Sequence, residues 1–212
     1  MEHDARPRPR SGPGRKRSAA SRSAILDAAI ELIGEAGFGA LTIEGIAARS
    51  GTGKQTVYRW WPSKADVLLE ALASRADLDI PVTDQGSYAA DLLAFLTASL
   101  RMGRDPRVTA ILRALMAQAQ IDPAFGVRFQ AAFLARRRAA LTVLTDLARA
   151  RGDLPAVTPP ELVADVVFGV IWYRVLARDE PADPRLPDRL AALLAGSAAG
   201  GGSPDVGHSP FT

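Results

Sequence analysis

LTIEGIAARSGTGKQTVYRWWPSKADVLL, residues 41–69, decides the fold. Thr42 is a good N-cap, because its hydroxyl can accept from a first-turn amide. Ile43, Ile46 and Ala47 then fall at i, i+3 and i+4, the apolar stripe of a short amphipathic helix. Ser50-Gly51 stops that helix, since glycine tolerates the left-handed conformation a helix end needs. Thr52 caps a second helix running from Gly53 to about Trp60, with Val57 and Trp61 one turn apart and able to face inward. Pro62 forbids its continuation. Ser63 caps a third helix through Val67, Leu68 and Leu72. Two short helices joined by a tight glycine-bearing turn, followed by a third, form a helix-turn-helix of the kind that reads DNA.

A helix in the major groove needs donors at its N-terminal end for base edges, and Lys54, Gln55 and Thr56 supply them. It also needs flanking donors for phosphates, which set register without reading sequence. Thr42, Thr52, Tyr58, Arg59, Trp60 and Lys64 stand where that role is expected, with Gly53 offering a backbone amide. Lys64 lies in the first turn of its helix, where the dipole disfavours a cation; a nearby phosphate would explain it. The GTGKQT segment is not a nucleotide-binding P-loop. That motif needs Gly at position 48 and Ser or Thr at position 55, where Ala48 and Gln55 stand.

The run AILDAAIELIGEAGFGALTIEGIAARSGTGKQTVYRWWPSKADVLLEAL resembles the TetR/AcrR-type bacterial transcription regulators over about residues 22–72. Gly37, Thr42, Ile46-Ala47, Gly51, Lys54, Tyr58, Trp61 and Lys64 stand at that family's characteristic places. Gly53 stands where Ser or Ala is common in the family, so one side-chain phosphate contact is either lost or passed to the backbone amide. Trp60 stands where many relatives carry His or Tyr. The resemblance implies an all-α protein: a three-helix DNA-binding domain, then a helical domain for effector binding and dimerisation. It also implies a repressor held on a pseudo-palindromic operator as a homodimer and released by a small molecule.

Working outward, residues 1–20 are rich in Pro, Arg, Gly and Ser and are expected to be a disordered basic arm. Seven basic residues against Glu2 and Asp4 give the first 22 residues a net +5, so the remaining 190 carry −2 of the overall +3. Two readings fit the arm: phosphate or minor-groove contact, or a solubilising tail. Ile25, Ala29, Leu32 and Ile33 make one helical face closed by Gly37, so residues 21–76 form the DNA-binding domain. Residues 77–86 link it to a helical domain ending near 195, and residues 196–212 are a Gly/Ser/Pro-rich tail expected to be disordered.

In that second domain Asp105-Pro106 and Asp122-Pro123 each place an N-cap before a proline at the first helical position. The helix over 161–176 is apolar almost all round, so it must bury more than one face. Either it sits centrally in a monomeric bundle, or it pairs with a second subunit. In the family resembled, the last two helices form a four-helix dimer interface, which implies roles there for Val166, Val170, Tyr173, Leu190 and Leu193. Phe95, Leu112, Met116, Phe129, Phe133, Phe168 and Trp172 are either ordinary core or the lining of an effector pocket. Without buried His, Cys or an evident charge cluster, that pocket suits a small apolar effector. Arg136, Arg137 and Arg138 read as a solvated helix face, or else as a second anion site.

The 212 residues contain no cysteine, and histidine occurs only at His3 and His208. A body without either type lacks a Ser-His or Cys-His nucleophile pair and an ordinary zinc site. An enzyme is not expected, nor a cofactor or metal. No continuous apolar segment follows the basic N-terminus, and the longest apolar stretch, residues 162–176, is too short and too charged to span a bilayer. A cytoplasmic protein with no membrane partner is expected. Two rival functions are a dimeric DNA-binding regulator without ligand response and a cofactor-free helical enzyme.

Overall fold

The computed structural model describes residues 13–74, 82–154, 159–177 and 183–199, which are helical with no strand among them. The chain divides into two units after Ser74. In the first, α1 spans Pro13–Ala40, α2 Ile43–Ser50, α3 Lys54–Trp60 and α4 Lys64–Ala73. Helix α1 begins well before the arm boundary expected at residue 20. Pro13 suits a first helical position, and the Arg15-Lys16-Arg17-Ser18-Ala19-Ala20 segment has good helix formers once the Pro/Gly-rich residues end. The rest of the arm lies outside the described residues, as does most of the C-terminal tail, since the last helix reaches Ala199.

The punctuation read from residues 41–69 is present with one change. Thr42 Oγ1 accepts from the Gly45 amide at 3.0 Å, and Gly51 ends α2 at φ 67°. Gly37 breaks α1 at φ 74°, a left-handed conformation that other residues adopt only under strain. The change is at Thr52. The cap of α3 is Gly53, which makes no side-chain bond. The Thr52 hydroxyl pairs with Ser50 Oγ at 2.8 Å, spanning the turn instead of the helix end. Ser63 and Asp66 serve each other at the start of α4: Ser63 Oγ accepts from the Asp66 amide and donates to its carboxylate at 2.6 Å. Ile25, Ala29, Ile33, Ile46, Val57, Leu68 and Leu72 close the core of this unit.

The second unit holds α5 (Tyr88–Met102), α6 (Pro106–Ile121), α7 (Pro123–Phe129), α8 (Ala135–Arg151), α9 (Pro160–Ala177) and α10 (Leu186–Ala199). Both Asp-Pro starts hold: Asp105 accepts from the Arg107 amide and Asp122 from the Phe125 amide. Helix α5 packs on α8 and α10, α8 on α9, and α6 on α7 and α9. Between α7 and α8 the chain makes a π turn, Gln130–Leu134. Its cause is legible. Phe125, Phe129, Phe133 and Arg137 recur every four residues, and in a 3.6-residue helix each such step drifts by about 40°. The wider turn absorbs the drift and keeps all four on the buried side. The phenyl rings stack at centroid distances of 6.3 and 5.8 Å, within 8° of parallel.

In the same unit Arg151 ties three acids together: Asp84, Asp91 and Asp153. Asp91 is buried and also accepts from the Gln85 amide at 2.6 Å. Asp153 in turn accepts from the Tyr88 amide.

Candidate nucleic-acid interface and effector cavity

Helix α3 buries Val57 and turns Lys54, Gln55, Tyr58 and Arg59 outward, with Thr56 half-buried. The ammonium of Lys54 is engaged by Glu44 of α2 and lies 5.7 Å from the Tyr58 ring centroid. That pairing raises the Lys54 pKa and lowers that of Glu44. Both groups are exposed, so the contact is weak and easily exchanged for another anion. Gly53 leaves the first amides of α3 without a side-chain acceptor from this chain.

Below the reading row sits an aromatic and ionic brace. Trp61 is buried and donates from Nε1 to Glu70 Oε2 at 2.9 Å. Glu70 also accepts two bonds of 2.5 Å from Arg22, so α1, the end of α3 and α4 meet on one carboxylate. The Arg22 guanidinium lies over Trp61 at 5.2 Å and Trp60 at 5.9 Å, and Arg59 lies over the other ring of the pair at 5.3 Å from Trp60. Trp60 and Trp61 meet edge to face at 5.4 Å. Trp60, expected to point at phosphate, is thus half-buried in packing, and Arg22, counted with the basic arm, belongs to the fold.

Lys64 also takes a different environment from the one reasoned from sequence. Its ammonium donates to the carbonyls of Phe38 and Leu41 at 2.7 and 2.8 Å and lies 4.2 Å from the Phe38 ring centroid. These carbonyls belong to the turn where Gly37 has interrupted α1, so they lack helical donors. A cation at the start of α4 is therefore explained by the end of α1 without a phosphate. Arg49 makes a second tie, to Glu35 at 2.8 Å and Glu31 at 3.1 Å.

The second unit encloses a cavity of about 300 Å³ between α5, α6, the π turn, α8 and α9. Leu112, Met116, Phe133, Phe168 and Trp172 line it, all expected from sequence. Phe95 and Phe129, expected beside them, do not. Phe95 is buried in the core edge-to-face with Phe168 at 6.4 Å, and Phe129 is closed between the rings of Phe125 and Phe133. The lining also holds polar groups that the sequence reading missed: Ser99, Arg137, Arg138 and Asp165. Arg138 pairs with Asp165 at 2.9 Å near the surface. Arg137 is 9% exposed, its guanidinium 5.2 Å from the Phe133 ring centroid and 3.7 Å from Met102 Sδ. Burial pushes its pKa down to about 10. The solvated-face reading thus fails for the middle arginine, because it continues the four-residue Phe ladder.

Two family models match the chain: "Bacterial regulatory proteins, tetR family" over residues 25–71 and "Tetracyclin repressor-like, C-terminal domain" over residues 82–194. The chain belongs to the TetR family. The HTH-type transcriptional regulator YdeS of Bacillus subtilis is 31% identical over 187 residues, 88% of this chain and 94% of that protein. The regulator AqdR of Rhodococcus erythropolis is 27% identical, over 84% of this chain and 85% of that one. Among solved structures, the TetR family transcription regulator SCO0332 is 31% identical with a TM-score of 0.67, covering 83% of this chain and 97% of its own. FadR from Bacillus subtilis, solved in complex with stearoyl-CoA, has a TM-score of 0.69 at 16% identity, covering 82% and 97%. The chain is a helix-turn-helix, DNA-binding transcriptional regulator, and its relatives' role is not enzymatic.

As a TetR-family member it presents a C-terminal helix with three environments. Along α9, Val163, Ala164 and Val167 enter the core. Phe168, Ile171 and Trp172 face the cavity. Leu162, Tyr173 and Leu176 are exposed, Tyr173 at 61%. Of the five residues expected in a dimer interface, Tyr173 and Leu193 are exposed, and Val166 and Val170 are half-buried against the core edge. Leu190 is the correction: it is buried in this chain's own core where α10 packs on α5, so it has no surface to offer a second subunit. No helix among the described residues is long and apolar enough to cross a membrane.

Proposed function

We propose that this regulator is a repressor, bound as a homodimer to a pseudo-palindromic operator and released when a small molecule enters the cavity of the second unit. The cavity is the observation that carries the reading. A volume of about 300 Å³ walled by large apolar side chains lies at the lower end of small-molecule sites, in a unit that DNA reading does not require. FadR from Bacillus subtilis, which shares the fold, was solved in complex with stearoyl-CoA. The homodimer is supported by the stripe Leu162, Val166, Tyr173 and Leu176, spaced on one face of α9 and exposed or half-exposed along its length. A seven-residue recognition helix makes few base contacts; two related by a dyad read two half-sites.

In this mechanism Lys54, Gln55 and Thr56 read base edges. Thr42, Thr52, the Gly53 amide, Tyr58 and Arg59 meet phosphates, with the basic N-terminal arm adding charge. Effector binding shifts the population toward a form whose two recognition helices no longer match successive major grooves. The coupling is reciprocal, so operator DNA must weaken effector binding by the same factor. Such a protein works in the cytoplasm, where its DNA is.

The test is a footprint upstream of the chain's own coding region, followed by gel shifts on the protected fragment. Tyr58→Ala is expected to weaken binding to every sequence, and Gln55→Ala to change which sequence is preferred. Light scattering should give a dimer, and Tyr173→Glu should dissociate it. Unchanged DNA affinity in Tyr58→Ala would overturn the interface. A footprint that no small molecule relieves would favour a dimeric regulator without ligand response.

A further inference from the structure

Several acids of the first unit serve the fold itself. Glu31 and Glu35 hold Arg49, Glu70 holds Arg22 and the Trp61 indole, and Asp66 joins Ser63 at the start of α4. Glu44 is placed differently. It lies in the first turn of α2, and its carboxylate reaches across to the ammonium of Lys54, the first residue of α3. That position works against a protein that binds DNA, because a carboxylate beside the reading row meets a polyanion with like charge. Little stability offsets this: both side chains are more than half exposed, and solvent screens the pair. The hydrogen bond from Lys54 holds the Glu44 pKa below its ordinary value. The group is therefore ionised at neutral pH and can only accept.

Glu44 and Lys54 thus present an acceptor and a donor in contact, at the end of α3 proposed to meet base edges. The major-groove edges of the base pairs answer such a couple differently. G·C offers two acceptors on guanine, N7 and O6, and then the N4 amino donor of cytosine. An ammonium over guanine with a carboxylate over cytosine follows that order. A·T offers adenine N7, the N6 amino group and thymine O4. Its donor has an acceptor on each side, and both repel a carboxylate. Reversing G·C puts the guanine acceptors under the carboxylate.

We propose that Glu44 is a specificity-determining residue of the DNA interface: with Lys54 it selects a G·C pair in each half-site, Lys54 donating to guanine O6 or N7 and Glu44 accepting from cytosine N4. Most of the selection comes from exclusion. At G·C the cytosine amino group replaces the partner that Glu44 loses when Lys54 turns to guanine. Any other pair leaves the carboxylate against acceptors, and a clash built against the wrong partner discriminates as well as a contact to the right one. Resting on the reading of bases by α3, this role adds to it a residue of α2.

The experiment selects sites from a random-sequence duplex pool with the full-length protein and its variants at one salt concentration. Competition binding then compares the selected site with its single-pair substitutions. For the parent, replacing the G·C pair is expected to weaken binding roughly 5- to 30-fold per half-site, the lower range for one mismatched pair. Glu44→Ala should cut that penalty to under about threefold by strengthening the substituted sites, and leave the other positions as they were. Lys54→Met should relax the same position, and Gln55→Ala a different one. Glu44 is exposed, so the alanine variant is expected to fold, and its thermal midpoint is measured alongside. A parent half-site without such a G·C pair would overturn the inference. So would relaxation by Glu44→Ala at a position that Lys54→Met does not touch. Unchanged base preference in Glu44→Ala with a lowered midpoint would also overturn it, and would make the acid a helix-end charge for α2. If Gln55→Ala alters the preferred site and Glu44→Ala does not, α3 reads bases without Glu44; if neither alters it, both readings fall.

Discussion

Replacing Glu70 divides the brace beneath the recognition helix into its parts. Glu70 receives two kinds of bond: the bidentate pair from Arg22 and the single bond from the Trp61 indole. The side chains of Arg22 and Glu70 are 47% and 30% exposed, so solvent screens their attraction, and such a pair contributes about 0.2–1 kcal/mol. The indole is different. Trp61 is 3% exposed, and a buried donor stripped of its acceptor costs about 1–3 kcal/mol. Glu70→Ala should therefore destabilise the first unit by about 1–4 kcal/mol, with no helix-propensity loss to add, since alanine is the better helix former. Glu70→Gln keeps one oxygen for the indole but gives up the charge and turns an amide NH2 toward the Arg22 fork, so it loses only the screened ion pair and should cost under about 1 kcal/mol.

The assay is urea unfolding followed by tryptophan fluorescence in a Trp172→Phe background. Trp60 and Trp61 then report on the first unit alone, because the chain's third tryptophan lies in the second. If Glu70→Gln is as damaging as Glu70→Ala, the indole bond is not what the carboxylate contributes and the reasoning fails. If neither variant moves the midpoint, the brace carries no stability at all.

Four further outcomes follow from the same geometry. Glu44→Gln frees Lys54 for DNA and should raise affinity for any sequence by roughly two- to five-fold at low salt, with the gain lost as salt rises; filter binding across ionic strengths checks it. Lys64→Met removes a cationic donor from the carbonyls of Phe38 and Leu41 and should cost about 1–3 kcal/mol of first-unit stability. Tyr58→Phe should reduce DNA affinity with no stability change, so equal stability in Lys64→Met would mark that lysine as a DNA contact only. Arg49 holds Glu35 below its ordinary pKa. The contribution of that pair is present above the unfolded carboxylate's pKa and disappears as pH falls through the lowered folded value. An Arg49→Gln variant should therefore lose less stability between neutral pH and pH 3 than the parent, read by thermal unfolding at a series of pH values.

Residues 41–69 could be read so far because their signals are local. Thr42, Ser63 and the two Asp-Pro steps each accept from amides within three residues of themselves, and Gly51 donates its own amide to the carbonyls of Ala47 and Ala48, so the chemistry that starts and stops a helix is written beside it. The Gly53 cap shows where that reading slips: Thr52 had two partners within reach and took Ser50. Arg22 and Glu70, 48 residues apart, carry no local mark of their pairing. Arg137 did carry one. It sits four residues beyond Phe133 on a ladder of the same step, a signal that the flanking Arg136 and Arg138 obscure.

The sequence by itself determined the helices, their caps, the outward row on α3 and the family, because periodicity and capping depend on neighbours along the chain. Tertiary structure alone decided the partition of an all-apolar surface. It sent Leu190 and Phe95 to the core, Phe168 and Trp172 to a cavity, and Tyr173 to solvent. Hydrophobicity has no direction of its own: it demands burial, and only the packing of distant helices settles against what.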